Sequence, residues 1–350
     1  MSDIENRFMQ EENYLNNWSI IVLKNRVSGV ILCEIIIIIL FSFFSNKFLT
    51  LSNLNTIFLN SCIMAILACA EGVVIITRNY DISIASILAL TAYIGFDIIK
   101  RYPNIGPILI FIPIIIGMIC GLINGIIVAY GKVSSVFVTL GSLSIYRGIV
   151  TVYAGGHQIE PMDIPEWVRK SVTGSIIPGI SNLAIIAITI VILSSVYLRY
   201  TRIGRQIYAI GSNPDAAKYY GLKVTKIIIL AYTICGTLTG LSGFLFAARS
   251  SYVVPWFAQG IEMSVIGAVV VGGVSVLGGS GNVIGASIGA IFLSTIENGL
   301  ILVGTHEVIR QLIYGITIVG ACILDATVLK QVSNILKLKK RRFRKVYAND

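Results

Sequence analysis

Long apolar stretches recur along almost the whole chain, and short polar segments separate them. A membrane-spanning helix needs about 20 mostly apolar residues, because the hydrocarbon core of a bilayer is about 30 Å thick. Charged residues make up only 13% of the chain, about half the share that soluble domains carry. The sequence therefore predicts an all-α, polytopic membrane protein with about ten transmembrane helices. The predicted spans are 27–45, 56–77, 82–99, 108–130, 136–153, 183–200, 227–248, 263–277, 283–303 and 308–328.

Lysine and arginine concentrate in every second segment between these spans and crowd the end of the chain. Such an excess marks the cytoplasmic face of a membrane protein. We therefore expect both termini in the cytoplasm, on either side of a transmembrane domain at 27–328. The N-terminal segment is 1–26, and the basic tail at 329–350 is expected to contact anionic lipid. The positive charge thus follows membrane topology, and no nucleic-acid partner is predicted.

Glycines recur four residues apart in several predicted spans, a spacing that lets two helix backbones approach closely. The partner of each face is either another helix of the same bundle or a second subunit. The eighth span is short and glycine-rich, which predicts a broken or tilted helix. Residues 272–285 are expected to form a cytoplasmic turn between close-packed helices. The glycine pairs are Gly117/Gly121/Gly125, Gly236/Gly240 and Gly285/Gly289.

A faint internal repeat relates the two halves of the chain. An acidic residue and a serine two positions later precede an Asn-Gly pair in a glycine-rich span, once in each half. Internal repeats are common in transporters, where the substrate path lies between them. The repeat assigns to a translocation path the residues Asp81, Ser83, Asn124, Glu262, Ser264 and Asn298.

The fifth span carries a charge deep within an apolar stretch. A charged side chain at mid-helix costs about 2.5–3.5 kcal/mol on insertion scales, so each is a candidate site residue. Two interpretations of Arg147 stay open: it lines a wet passage, or it pairs with Glu71 or Glu297. The path residues assigned to this span are Thr139, Ser142, Tyr146 and Arg147.

The sequence contains no motif for catalysis or for a cofactor. The glycines at 125–132 and 279–285 miss the spacing of a P-loop and of a dinucleotide loop. The six cysteines form no Cys-x-x-Cys pair and the two histidines lie near predicted outer loops, so no metal site is predicted. The chain is therefore not expected to be an enzyme, and any energy must come from another subunit or from an ion gradient.

The largest predicted cytoplasmic segment, residues 201–226, contains a short helix signal. Asn213 or Ser212 can cap a helix that begins at Pro214, and Gly221 can end it. A helix of two turns is unstable alone in water, so it must pack on a soluble partner or on its own bundle. The candidate docking residues are Asn213, Pro214, Asp215, Ala216, Ala217, Lys218, Tyr219, Tyr220 and Gly221.

Four sequence blocks carry a family resemblance. The motif Asp215-Ala-Ala-x-x-x-Gly221 resembles the coupling-helix motif of ABC importer permeases, and TRIGRQIYAIGSNPDAAKYYGL resembles its version in ribose-type sugar permeases. The blocks at 77–90, 121–149 and 260–290 are similar to successive family blocks. TRNYDISIASI and the pattern at 139–160 are most similar to autoinducer-2 importer permeases.

This resemblance implies a transport subunit in the bacterial plasma (inner) membrane. The expected substrate is a small neutral sugar or sugar-like signal, such as ribose, another pentose or hexose, rhamnose or autoinducer-2. The implied partners are an ABC ATPase subunit that holds ATP and Mg²⁺, an extracytoplasmic sugar-binding protein, and a second permease copy or paralogue. The alternative function is a secondary carrier or channel that is not coupled to ATP.

Overall fold

The computed structural model describes residues 26–306, 308–317 and 319–320. Within these ranges the regular structure is helical, and strand pairing is limited to isolated bridges. The α-helices are α1 (Arg26–Phe44), α2 (Leu51–Ile76), α3 (Ile84–Arg101), α4 (Phe111–Gly131), α5 (Ser135–Ala154), α6 (Glu166–Thr173), α7 (Asn182–Tyr200), α8 (Arg202–Ser212), α9 (Pro214–Tyr219), α10 (Val224–Ser250), α11 (Ile261–Val271) and α12 (Val283–Leu302). Short 3₁₀ segments lie at Pro103–Ile110 and Pro161–Asp163, and residues 308–317 are also helical.

Six helical segments in the described part are long and apolar enough to cross a membrane. They include α2, α4 with its preceding 3₁₀ segment, α5, α7, α10 and α12. Helix α3 has Asp97, Lys100 and Arg101 near its end, and the apolar part of α1 is shorter than the other spans. The prediction of a multi-pass helical protein is confirmed, while the number of about ten spans is not reproduced. The predicted tenth span continues beyond the described residues.

Helix α2 forms the centre of the bundle. Every residue from Ser61 to Ile76 is buried, and α2 packs against α7, α10, α11 and α12. A helix that is apolar on all sides must be surrounded by protein or lipid, and here the protein surrounds it. The outer faces of α1, α4, α5 and α7 remain exposed.

Glycines bring α4 and α10 into backbone contact. A Cβ atom added at Gly117 would overlap the carbonyl oxygen of Gly236, and one at Gly121 would overlap that of Tyr232. One at Gly240 would overlap the carbonyl oxygen of Pro113. The interpretation of these glycine pairs as packing within one bundle is confirmed.

The eighth predicted span is a short helix followed by a loop, as its glycines predicted. Helix α11 ends at Val271 after 11 residues, a length of about 16 Å that covers about half of the hydrocarbon core. Residues 272–282 then form an irregular loop that leads into α12. A Cβ atom at Gly272 would overlap the backbone of Gly285, and one at Gly289 would overlap that of Ala268. Close packing of α11 on α12 therefore fixes the position of both ends of the loop at 272–282.

Candidate functional site

The short helix α9 has the ends that the sequence predicts. The Asn213 side chain accepts a hydrogen bond from the Ala216 amide at 3.0 Å, which caps the helix start. Gly221 has a φ of +78°, the left-handed conformation that ends a helix and favours glycine. The predicted start, cap and end of α9 are thus confirmed.

Helix α9 presents two adjacent aromatic side chains that the described chain leaves uncovered. Tyr219 is 92% exposed and Tyr220 is 87% exposed. On the opposite face Ala217 is buried, and its carbonyl accepts a hydrogen bond from the Leu222 amide. The helix therefore has one side anchored to its own bundle and another that the described chain leaves exposed.

Helix α8, which precedes α9, was missed in the sequence. Thr201 caps it by accepting from the Gly204 amide at 3.0 Å. Ile207 and Ile210 are fully buried at helical spacing. A threonine followed by isoleucines at 203, 207 and 210 is a signal that could have predicted this amphipathic helix.

Helix α8 is fixed to the end of α2 through the loop at 272–282. The Tyr208 hydroxyl donates to the Gly281 carbonyl at 2.9 Å. The Gly279 amide donates to the Ile76 carbonyl at 2.9 Å. A Cβ atom at Gly211 would overlap that same Ile76 carbonyl. A movement of α8 and α9 must therefore displace the C-terminal end of α2 or break these contacts.

The same loop is tied to the segment between α2 and α3. Arg78 Nε donates to the Leu277 carbonyl at 2.7 Å, and the Tyr80 hydroxyl donates to the Val276 carbonyl at 2.9 Å. The Tyr232 hydroxyl on α10 donates to the Tyr80 carbonyl at 2.8 Å. These hydrogen bonds connect the loop beside α8 to Tyr80, which directly precedes Asp81.

Four of the predicted path residues belong to one buried hydrogen-bond network. The Asp81 amide donates to Glu71 Oε1 at 3.0 Å, and the Ser83 hydroxyl donates to Asp81 Oδ1 at 2.5 Å. The Asn124 amide donates to the Ser83 hydroxyl at 2.9 Å. The Tyr146 hydroxyl donates to Asn124 Oδ1 at 3.1 Å. The network joins α2, α3, α4 and α5 inside the bundle.

The carboxyl groups at the head of this network are buried and incompletely paired. Glu71 is 0% exposed and Asp81 is 1% exposed. Glu71 Oε2 and Asp81 Oδ2 have no hydrogen-bond partner in the described part of the chain. Such groups are costly to bury, so this network is a candidate functional element. The sequence offers Glu71 as a candidate partner of Arg147, and its contact with Asp81 could not be predicted because that contact depends on the turn after α2.

The fifth span has a buried face and an open face. Thr139 is fully buried, and Ser142 and Tyr146 are 5% and 6% exposed. On the opposite side, Ser144 is exposed, and a Cβ atom at Gly141 or Gly148 would meet no atom within 4 Å. The structure therefore places the three predicted polar side chains inside the helix bundle, while the small residues of α5 point away from it.

The remaining predicted path residues lie elsewhere. Arg147 is half-buried, and its Nη1 donates to the Pro255 and Phe257 carbonyls at 2.8 and 3.0 Å, which ties α5 to the segment before α11. Ser264 is buried and lines a cavity between α2, α10, α11 and α12. Asn298 is buried on α12, apart from the network above. Glu262 is half-buried in the first turn of α11.

Residues 53–322 match the family model described as "Branched-chain amino acid transport system / permease component". The chain is 30% identical over 302 residues to the "Autoinducer 2 import system permease protein LsrC" of Salmonella typhi, covering 86% of each chain. The protein of the same name from Escherichia coli (strain K12 / DH10B) is also 30% identical, over 86% of this chain and 87% of that one. No solved structure gives a significant match. The resemblance to autoinducer-2 importer permeases is thereby confirmed, and the chain belongs to the family of branched-chain amino acid transport system permease components.

Proposed function

We propose that this chain is the transmembrane permease subunit of an ATP-binding-cassette importer for a small neutral sugar or sugar-like signal of the autoinducer-2 kind. The observation that carries the proposal is the exposed Tyr219–Tyr220 pair on a capped helix that is rigidly joined to the bundle core. The 30% identity to autoinducer 2 import permeases supports the transport role.

In this proposal α9 docks in a groove of a separate ATPase subunit. Exposed tyrosines supply large contact area at low cost in side-chain entropy, as interface anchors do. A movement of the ATPase reaches α2 through the Gly211–Ile76–Gly279 junction. From there the movement reaches α5 through the buried hydrogen bonds that join Asp81, Ser83, Asn124 and Tyr146. ATP hydrolysis in the partner is thus linked to the transmembrane helices by contacts within this chain.

The passage itself is proposed to run along the exposed face of α5, between this chain and a second permease copy or paralogue. That face carries the small residues Gly141, Ser144 and Gly148. The Ser144 hydroxyl makes it partly polar, which suits a substrate with hydroxyl groups. On the opposite, buried face of α5 lie Thr139, Ser142 and Tyr146. They hold α5 against the bundle, where Tyr146 donates a hydrogen bond to Asn124. The passage needs only weak contacts, because tight binding there would slow release.

Single cysteines at Ser142 and Ser144 are expected to differ in reactivity. About 200° separates the two positions around a helix, and Ser142 is buried while Ser144 is exposed. In a functional complex whose Cys33 and Cys322 are changed to serine, a water-soluble thiol reagent should label Ser144→Cys and spare Ser142→Cys. The Ser144→Cys rate should also change with nucleotide state. Equal inertness of both cysteines in every state would place the passage elsewhere.

Reconstituted transport tests the proposed function. The chain is placed in proteoliposomes with an ABC ATPase and a sugar-binding protein from the same organism, and uptake of D-ribose and of autoinducer 2 is measured. We expect uptake of one of them to require ATP and the binding protein. Uptake that follows an imposed proton or sodium gradient without ATP would instead identify a secondary carrier.

A further inference from the structure

A cavity of about 260 Å³, lined by both apolar and polar side chains, lies at the opposite end of the bundle from α9. Asn60 on α2 lines it, whereas Ile76 on the same helix contacts the loop beside α8. The two residues are separated by about 24 Å along the helix axis. The cavity therefore lies towards the face that the loop charges assign to the extracytoplasmic side.

The cavity is lined by strong hydrogen-bond donors. Arg249, at the end of α10, and Arg310 both face it and are half-buried. Arg249 Nη1 donates to the Asn60 side-chain oxygen at 2.5 Å. A guanidinium group has five N–H donors in a planar fork, so this one bond leaves Arg249 able to bind a pair of ligand oxygens.

Acceptors line the same space. Glu297 contributes a carboxyl group, and Gln259 and Gln311 contribute amides that both donate and accept. An inorganic anion offers acceptors only, so it cannot donate to the Glu297 carboxylate or to the amide oxygens. A hydroxyl group donates and accepts at once, so a ligand with several hydroxyl groups satisfies this mixed lining.

The size of the cavity and its apolar lining restrict the class of ligand further. Drug-sized ligands occupy pockets of about 300–1,000 Å³, so a cavity of about 260 Å³ suits a molecule of one small ring. Phe246 and Tyr314 also line the cavity. Their apolar ring surfaces match the C–H faces of such a molecule, as binding sites combine apolar walls with a few polar groups.

We propose that this cavity is an extracytoplasmic binding site for one small polyhydroxylated molecule, held by Arg249, Glu297 and the flanking amides. The inference rests on the proposed function, since a site at this end receives substrate before the passage between permease copies. It differs from that passage because it lies within a single chain.

Protection of a cysteine at the cavity wall tests the site. Ala258 lines the cavity and carries no polar side-chain group, so Ala258→Cys keeps every polar group of the lining. Its backbone has a φ of +56° with a Cβ atom already present, so the change to cysteine adds only a sulfur atom. The full chain, with Cys33 and Cys322 changed to serine, is placed in lipid nanodiscs without partners. D-ribose, L-rhamnose or autoinducer 2 is expected to slow labelling by a water-soluble thiol reagent, and inorganic phosphate is expected to leave it unchanged.

Arg249→Gln should raise the concentration of that ligand needed for protection at least about tenfold, because hydrogen bonds to a charged group are the stronger ones. The control Arg169→Gln, on the exposed face of α6, should change nothing. If Ala258→Cys fails to fold, Ile301→Cys, at an exposed apolar position of the lining, replaces it.

Protection by phosphate alone, protection that Arg249→Gln leaves unchanged, or an absence of protection by all three polyhydroxylated probes would overturn the inference. The proposed function is judged separately by ATP-driven uptake in the full complex. Loss of protection with intact uptake rejects only the cavity site, and protection without ATP-driven uptake rejects only the proposed function.

Discussion

Replacement of Gly236 by valine is expected to abolish accumulation of the folded protein in the membrane. A Cβ atom at Gly236 would overlap the Gly117 carbonyl and approach Gly121 Cα to 2.8 Å. These are backbone atoms of α4, so α4 and α10 must separate along their whole contact. Overpacking of a core costs about 1–3 kcal/mol even when side chains can yield, and a backbone collision exceeds that range. Monodisperse elution and the midpoint of thermal unfolding in detergent measure the effect.

A matched control separates this collision from the general effect of valine in a membrane helix. Gly148 lies within α5, and a Cβ atom there would meet nothing within 4 Å. Gly148→Val should leave elution and the unfolding midpoint close to those of the unchanged protein. Equal losses from both substitutions would show that the α4–α10 contact is not what holds the bundle together.

Changing Tyr219 and Tyr220 together to alanine is expected to reduce ATP-driven uptake to background. Both side chains are more than 85% exposed, so their removal costs the isolated permease little stability. In a partner groove, an anchor tyrosine contributes about 2 kcal/mol or more. The loss of two should therefore weaken ATPase binding by about several hundredfold or more. Uptake in proteoliposomes and co-purification of the ATPase measure the two effects.

Tyr130→Ala is the matched control for this double change. Tyr130 is 69% exposed at the end of α4, on the face that the loop charges assign to the cytoplasm. Its removal should leave both ATPase binding and uptake intact. Full uptake by the double variant would show that α9 does not carry the coupling.

The helical architecture and the ends of α9 could be predicted because they depend on local signals. Apolar length predicts a span, and Asn213 and Gly221 have positions that the geometry of helix ends requires. Helix α8 was not predicted, because its arginines make the segment read as a polar loop although Ile203, Ile207 and Ile210 recur at helical spacing. The glycine pairs predicted close packing, but only tertiary structure could identify Gly236 as the neighbour of Gly117.

The interior network could be predicted only in part. The internal repeat singled out Asp81, Ser83 and Asn124, which the structure joins by hydrogen bonds. It gave no sign that Glu71 lies beside Asp81, because that contact depends on how the chain turns after α2. In an apolar span, periodicity does not distinguish a face towards protein from a face towards a passage. The sequence for that reason assigns the polar residues of α5 to the passage, and the structure shows that Thr139, Ser142 and Tyr146 lie on the buried face of this helix.

Site-specific cross-linking from α9 tests the coupling account most directly. A photoreactive amino acid is placed at Tyr219, and separately at Tyr130, in the complex assembled with its ATPase and binding protein. Cross-links from position 219 to the ATPase are expected, with a yield that changes between ATP-bound and nucleotide-free states, and none from position 130. An active complex that gives no ATPase cross-link from position 219 in either state would contradict the account.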